Sequence, residues 1–515
     1  MKYPIGIQNF ESLISDGYVY VDKTALIYKL ASEGRYYFLS RPRRFGKSLL
    51  ISTLEAFFQG KRELFKGLAV EKMDWDWVAY PILHMDFNTA SYQTVDDLRE
   101  VLNDYVSKWE EQYGSRPSEV TLPLRFKGIV ERAALQAGRR VVILVDEYDK
   151  PLLQTMGNEA LQDALRDELK AFYSVLKTQD KYICLGFLTG VTKFSKVSVF
   201  SDLNNITDIS LDPRYQALCG ITEEELYAYF DEPLHELAES NGISYDEACQ
   251  QMRKRYDGYH FCRRGKGMYN PFSLLSTLAS GMFGSYWFET GTPTFLVSLL
   301  KQDHYRLPDL DGAMVSGIEL KSVDSVTANP LPIIYQSGYL TIKDYDQRFD
   351  MYTLGFPNDE VEEGFTQFLL PYYTNISEDK ARSPFFIANF IKDLEAGHPQ
   401  DFMKRMEAFF ADTDYKVIGD SELYFQNIFF LLTKLLGFYT TVEKDTTDGR
   451  IDMVIETKAF VYIIEFKMDK TAAEALQQIN DKHYAASYAA DTRQLYKIGV
   501  NFSTDRRCID GWEVE

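Results

Sequence analysis

Hydrophobic and polar positions along this chain change their spacing from one segment to the next. Tyr36 to Leu39 is a short aromatic and aliphatic run, followed by a basic loop and an apolar segment with helical spacing from Ser48 to Phe58, which predicts strand, loop, helix. Val141 to Val145 is a continuous apolar run of the kind seen in strands buried on both faces, and Ile183 to Leu188 is another. Strands alternating with helical segments predict an α/β domain with a parallel sheet over residues 1–210. From 211 to 345 the pattern becomes mostly helical: Thr222 to Leu237 and Ser244 to Tyr256 are acidic and amphipathic, and Asn270-Pro271-Phe272-Ser273 opens a further helix capped by Asn270 or Ser273. Residues 346–410 form a connecting segment. Short strand-like pieces between Gly338 and Asn358 give way to helical spacing over Val361 to Tyr373 and Pro384 to Ala411. The last segment, 411–515, predicts helix (Ser421 to Leu436), three strands (Tyr439 to Glu443, Arg450 to Glu456, Phe460 to Lys467), helix (Ala472 to Tyr488) and strand (Tyr496 to Asn501).

Composition narrows the classes. A length of 515 residues allows three or four domains, so a single-site description would be incomplete. With 45% hydrophobic and 15% aromatic residues, disorder is excluded as the dominant state. A net charge of −20 repels polyanions at long range and excludes a protein that coats nucleic acid along its length. A local basic groove remains compatible, because salt confines exposed charges to about 8 to 10 Å. Five scattered cysteines without a Cys-x-x-Cys pair indicate neither a disulfide framework nor a zinc knuckle, and a reducing cytoplasm is the expected compartment. The N-terminus has no apolar stretch behind Lys2, and runs such as Ile428 to Leu432 are far short of a membrane span, so neither export nor membrane insertion is expected.

The loop after the first strand carries candidate chemistry. Ser40-Arg41-Pro42-Arg43-Arg44-Phe45-Gly46-Lys47-Ser48 ends as a phosphate-binding P-loop does, at the start of a helix. Backbone amides at Gly46 and beyond would cradle phosphates, Lys47 would reach the β and γ oxygens, and the Ser48 hydroxyl would hold Mg²⁺. Arg41 stands where such loops have their first glycine, so Pro42 and the arginines must make the turn another way; Arg41, Arg43 and Arg44 add positive charge suited to a triphosphate. An exposed basic turn is the alternative for this loop alone. Val141 to Val145 ends in Asp146 and Glu147, the place from which a neighbouring strand delivers a metal-binding aspartate and a water-activating glutamate. Thr189, with Thr192 and Lys193 beyond it, ends the next strand where a γ-phosphate would be sensed, or else these are ordinary loop polar residues.

Pro4-Ile5-Gly6-Ile7, Tyr20-Val21-Asp22-Lys23-Thr24, Arg41 to Ser48, Val145-Asp146-Glu147-Tyr148-Asp149-Lys150-Pro151 and Tyr256-Asp257-Gly258-Tyr259 together closely resemble the bacterial AAA-ATPase-like proteins, which also carry a C-terminal nuclease-like domain of the PD-(D/E)XK type. The resemblance covers nearly the whole chain. It implies an α/β multidomain fold: an N-terminal AAA-like P-loop domain, a helical middle region and a C-terminal α/β restriction-endonuclease-like domain. It also implies that the arginine-rich loop is the usual form in the family.

In the C-terminal segment Asp452 and Glu465 are 13 residues apart, with Lys467 two further on. A tight turn at Lys458-Ala459 places the two carboxylates directly opposite each other, with Cβ atoms about 4.5 to 5.5 Å apart. Glu465 and Lys467 then share one strand face, and Ile464 and Phe466 the other. Opposed acids destabilise a hairpin unless a cation lies between them. Mg²⁺ suits oxygen ligands and a lysine beside it can handle the attacking water, or Lys467 itself neutralises the pair and the hairpin is structural. The resembled family has its nuclease motif at Asp452, Glu465-Phe466-Lys467, with Gly449-Arg450 before it. By that resemblance Asp452 and Glu465 bind metal, Lys467 handles the water, Glu422 adds an acidic contact and Gln478 stands near the site.

Charge complicates a nuclease. Residues 411–515 hold 12 basic and 18 acidic side chains, without the basic footprint of an autonomous DNA binder. Arg253, Lys254, Arg255, Arg263, Arg264 and Lys266, interleaved with Tyr256, Tyr259, His260 and Phe261, offer either a phosphate path with base stacking or a solvated loop after a helix. The expected function is an ATP-binding and ATP-hydrolysing protein coupled to a Mg²⁺-dependent nuclease that acts on nucleic acid, DNA before RNA, under nucleotide control, in defence or mobile-element biology. The competing expectation is an ATP-dependent switch or scaffold whose nuclease fold does not cut. A homo-oligomer or a protein partner is compatible with either.

Overall fold

The N-terminal strands form because runs of β-branched and aromatic residues can be buried on both faces of a parallel sheet. β1 (Tyr36–Ser40), β2 (Ile82–Asp86), β3 (Val141–Asp146), β4 (Ile183–Gly190) and β5 (Thr207–Asp208) make a parallel sheet of order β2-β3-β4-β1-β5. β2, which the periodicity does not announce, alternates half-buried and buried positions because it is an edge strand. The computed structural model describes residues 1–194, 206–288, 294–302, 305–321, 323, 329–374, 384–411, 421–437, 441–443, 452–506 and 508–515.

Two helices of the middle region start as the sequence marks them. Glu223–Asn241 and Tyr245–Tyr256 are each opened by a reciprocal capping box, from Thr222 with Glu225 and from Ser244 with Glu247. Asn270, not Ser273, caps Pro271–Ser280. β6 (Ala313–Ser316), β7 (Thr341–Asp346) and β8 (Met351–Gly355) form a small antiparallel sheet, with β8 central.

The chain divides into two compact units, Met1–Gly291 with Asp311–Glu360, and Thr292–Leu310 with Val361–Glu515. The second contains β9 (Thr441–Glu443), β10 (Met453–Glu456), β11 (Phe460–Met468), β12 (Gln494–Ser503) and β13 (Cys508–Val514), a sheet of order β13-β12-β11-β10-β9. Only β11 and β12 run parallel. Pro384 to Ala411 is two helices rather than one, Pro384–Glu395 and Pro399–Ala411, interrupted at Gly397 with φ 72°. The helix expected to run from Ala472 to Tyr488 ends at Asp481, and after His483, in the left-handed region, a 3₁₀ turn covers Tyr484–Tyr488.

On one face of this sheet Phe466 meets Phe425 and Phe429 of the helix Ser421–Gly437, at ring separations of 5.4 and 4.5 Å. On the other, the helix Ala472–Asp481 lies directly on β12. A Cβ at Gly499 would stand 2.2 Å from the Ala472 carbonyl oxygen, so only glycine permits that approach.

Candidate nucleotide and metal sites

The two sites stand one in each unit. In the first, β1, β3 and β4 end side by side, with Leu39 paired to Thr189, Ser40 to Gly190 and Val145 to Leu188, and β2 adds Asp86 beside Asp146. The P-loop turns through left-handed backbone at Arg44 (φ 67°) and Gly46 (φ 93°), and Gly46 opens the helix Lys47–Phe58. Arg41 is 1% exposed. Its guanidinium donates to the Ser40 and Ser210 carbonyls at 2.8 Å and lies 4.1 Å from the Phe261 ring centroid. The expectation that Arg41 offers charge to a triphosphate is therefore corrected: it is consumed in closing the loop.

Lys47 donates from Nζ to the Arg41 and Pro42 carbonyls at 3.0 and 3.2 Å and pairs with Glu147 at 3.2 Å. Thr189 is fully buried and donates to Asp146 Oδ1 at 2.5 Å, so its hydroxyl is engaged by Asp146. Thr192 donates to Asp149, and Lys193 pairs with Asp208 at 2.7 Å. Burial, reinforced by the Glu147 charge, pushes the Asp149 carboxyl up to about 7.

A cavity of about 500 Å³ lies over these strand ends. Arg43, Arg44, Gly46, Lys47, Ser48 and Glu147 line it, joined by residues that the motif spacing did not single out for chemistry: Asp86, Asn88, Lys150, the N-terminal Pro4 to Gln8, and Phe272. A weak signal for Asp86 and Asn88 existed in the short apolar run from Pro81 that breaks at Asp86. The middle region clasps the loop from outside. Trp287 Nε1 donates to the Arg43 carbonyl at 3.0 Å, Arg44 lies 4.8 Å from the Phe272 ring centroid, and Phe45 packs edge-on against Tyr259 and Phe261. Tyr256, Tyr259 and Phe261 are buried, so they are not available to stack on bases. Arg253 pairs with Glu223, Lys254 with Asp359, Arg263 with Asp350 and Lys266 with Glu224. Of the two readings of this stretch, base stacking on Tyr256, Tyr259 and Phe261 is closed off by their burial, and at least four of its six cations carry surface ion pairs. His260 accepts a structural role, its Nδ1 lying 3.0 Å from the Gly265 carbonyl.

In the second unit the hairpin has the register its turn dictates. Met453 pairs with Ile464 and Glu456 with Val461 around Thr457 to Phe460, which by continuation puts Asp452 opposite Glu465. Asp452 Oδ2 accepts from the Phe466 amide at 2.8 Å. Glu465 is 3% exposed; its Oε1 accepts from Lys467 Nζ at 2.9 Å and from the Gln478 amide, while its Oε2 has no hydrogen-bond partner among the described residues. Burial first, then the Asp452 charge, holds the Glu465 carboxyl above its ordinary range. Gln478 reaches it because Glu465 and Gly499 are paired on the face covered by the helix Ala472–Asp481. Glu422 lies in the first turn of Ser421–Gly437, with its side chain outside the described set, as are Gly449 and Arg450. Among the described residues no group of three or more His, Cys, Asp or Glu gathers as a metal cage. The hairpin offers a carboxylate pair in which one buried oxygen has no hydrogen-bond partner among the described residues, a donor set whose chemistry fits a hard divalent cation.

A parallel sheet of this order with a P-loop and paired acids at its C-terminal edge defines a P-loop ATPase-type domain. The hairpin bearing Asp452, Glu465 and Lys467 between helices defines a domain of the PD-(D/E)XK type. Residues 4–200 match the family model described as predicted AAA-ATPase, AAA-ATPase-like, and residues 420–512 match that of the PD-(D/E)XK nuclease superfamily. The chain is also 37% identical over 531 residues to a protein of Azotobacter chroococcum mcd 1 named "Uncharacterized protein in vnfD 5'region", an alignment spanning 100% of this chain and 99% of that one. The chain belongs to the AAA-ATPase-like family and joins its ATPase-like domain to a C-terminal PD-(D/E)XK nuclease superfamily domain. Among the described residues no helix is long and apolar enough to cross a membrane.

Proposed function

We propose that the first unit binds and hydrolyses ATP and that the second is a Mg²⁺-dependent nuclease cutting nucleic-acid phosphodiesters under control of the nucleotide state. The observation that carries this reading is Glu465, a carboxylate 3% exposed, with Lys467 and Gln478 on one oxygen and no partner among the described residues for the other. Leaving such an oxygen ionised costs several kcal/mol unless a cation completes it.

Bound by Asp452 and Glu465, Mg²⁺ supplies positive charge to the phosphate being cut. Gln478 orients Glu465, Lys467 positions the attacking water and accepts or relays its proton, and Glu422 adds an acidic contact. In the first unit Lys47 and the Gly46 amide take the phosphates, Arg43 and Arg44 add charge, and Ser48 and Asp146 serve the nucleotide's Mg²⁺. Thr189 holds Asp146 in place, and Glu147 takes the proton of water. The cavity's four lining cations against two carboxylates favour an anionic ligand. Nucleic acid, DNA before RNA, is the proposed substrate, with a cytoplasmic site of action and a role in defence or mobile-element biology drawn by analogy from the pairing of ATPase and nuclease.

Incubation of the full chain with DNA and RNA, with and without Mg²⁺ and ATP, tests this beside Asp452→Ala. Metal-dependent cleavage that the variant loses is expected, and equal cleavage by the variant would overturn the nuclease assignment. A second reading, an ATP-dependent switch or scaffold that binds nucleic acid or a partner protein without cutting, is favoured by the 18 acidic against 12 basic side chains of residues 411–515, which leave the nuclease fold without a basic footprint of its own. It expects normal function in cells carrying Asp452→Ala and Glu465→Ala, and loss with Lys47→Ala.

A further inference from the structure

The turn after β3 presents two side chains to the nucleotide cavity and anchors two others beneath it. Glu147 adopts φ 52°, a left-handed conformation costing about 1 kcal/mol or more for a residue with a Cβ, and its carbonyl accepts from the Lys150 amide at 3.0 Å. The two residues between are fully buried. Tyr148 donates to the Thr192 carbonyl at 3.0 Å, and Asp149 Oδ2 accepts from the Val191 and Thr192 amides at 3.0 and 2.6 Å. With those anchors fixed, Glu147 and Lys150 both line the cavity. Glu147 is engaged by Lys47. Lys150 forms no ion pair within 4.0 Å among the described residues; its Nζ makes a long contact, 3.4 Å, with the neutral Asn88 side chain just beyond β2. Lys47 follows β1 and Lys150 follows β3, with β4 between those strands, so the two ammonium groups enter the cavity from different sides.

We propose that Lys150 is a catalytic cation for the terminal phosphate, supplied by the same chain, so that the site is completed without an arginine from a neighbouring subunit. The inference rests on the ATPase reading. In the step it serves, a water oxygen bonds to the γ-phosphorus while the bond from that phosphorus to the β–γ bridging oxygen breaks. ADP leaves with the electron pair, and the water proton passes to Glu147 and on to solvent. Lys150 neutralises charge on the γ-phosphoryl oxygens as they separate from ADP, whereas Lys47 stays on the β and γ oxygens it holds in the ground state. Asn88, a neutral acceptor, steers the ammonium group without cancelling its charge.

The test uses the full chain with Mg²⁺ and ATP, comparing wild type with Lys150→Ala, Lys150→Met, Lys150→Arg and Lys47→Ala. Steady-state hydrolysis across a protein dilution series is measured together with binding of ADP. The expected result is a kcat lower by roughly 100-fold or more in the alanine and methionine variants. ADP affinity should stay within about threefold, the arginine variant should partly recover, and the wild-type rate per chain should be independent of protein concentration. Methionine keeps the length of the aliphatic stem and separates loss of charge from loss of packing. Wild-type kcat in the alanine or methionine variant beside an inactive Lys47→Ala overturns the assignment of Lys150 alone, as does parallel loss of ADP binding and kcat in both, which marks a structural role. Absence of ADP binding and of ATP hydrolysis in wild type, or an unchanged rate in Lys47→Ala, sinks the ATPase reading itself and this inference with it.

Discussion

Arg41 shows how a P-loop closes around a position that lacks glycine. A buried guanidinium needs acceptors, and the Ser40, Ser210 and Tyr215 carbonyls provide them, so the side chain ties the loop to the segment 210–215, a link that a glycine would not make. Glu360 does similar work at the other flank. It is buried, accepts from the Ser273 hydroxyl at 2.7 Å and from the Tyr286 and Trp287 amides at 2.6 and 2.8 Å, and so fixes the segment whose indole holds the Arg43 carbonyl. Burial raises its carboxyl from an ordinary 4.5 to about 7. Because the folded state prefers the protonated form, its contribution to stability is fully present below about 4.5 and is lost as pH rises through about 7. Thermal unfolding followed from pH 5 to 8 should therefore show a falling midpoint. Glu360→Gln should flatten that slope, removing on the order of 3 kcal/mol of pH-dependent stability; an unchanged slope would refute the burial argument.

Among the elements, the helix Ala472–Asp481 depends most on one residue. Gly499 lets it sit on β12, and that contact is what carries Gln478 to Glu465. Gly499→Val should push the helix outward, destabilise the second unit by about 1–3 kcal/mol and reduce Mg²⁺-dependent cleavage more than Gly511→Val, a control position where an added Cβ meets nothing within 4 Å. Unfolding midpoints and cleavage rates measured side by side check both parts. The hairpin register was legible in the sequence because a two-residue turn at Lys458-Ala459 fixes which residues stand opposite one another. β2 was not legible, since an edge strand alternates in burial and carries His84 and Asp86 within five residues. β13 was missed for a related reason: Asp510, Gly511 and Glu513 dilute its apolar pattern.

At the scale of the molecule, the two sites belong to separate compact units, so their disablement should be separable. Lys47→Ala is expected to leave metal-dependent cleavage chemically intact while abolishing its response to ATP, and Asp452→Ala to abolish cleavage while leaving ATP turnover near wild type. Assays of both activities on both variants check this; loss of ATP turnover in Asp452→Ala would contradict it.

The sequence alone determined the α/β character, the P-loop, the acidic tips of the strands and the pairing of Asp452 with Glu465, because periodicity, turn chemistry and local spacing are short-range properties. Only the tertiary structure decided that Arg41 is buried, that the rings of the basic stretch are buried and most of its cations paired, that Thr189 hydrogen-bonds Asp146, and that Asp86, Asn88 and Lys150 meet Lys47 around one cavity. Those outcomes depend on which groups distant segments bring within a few ångströms of each other, and no local pattern of residues encodes that distance.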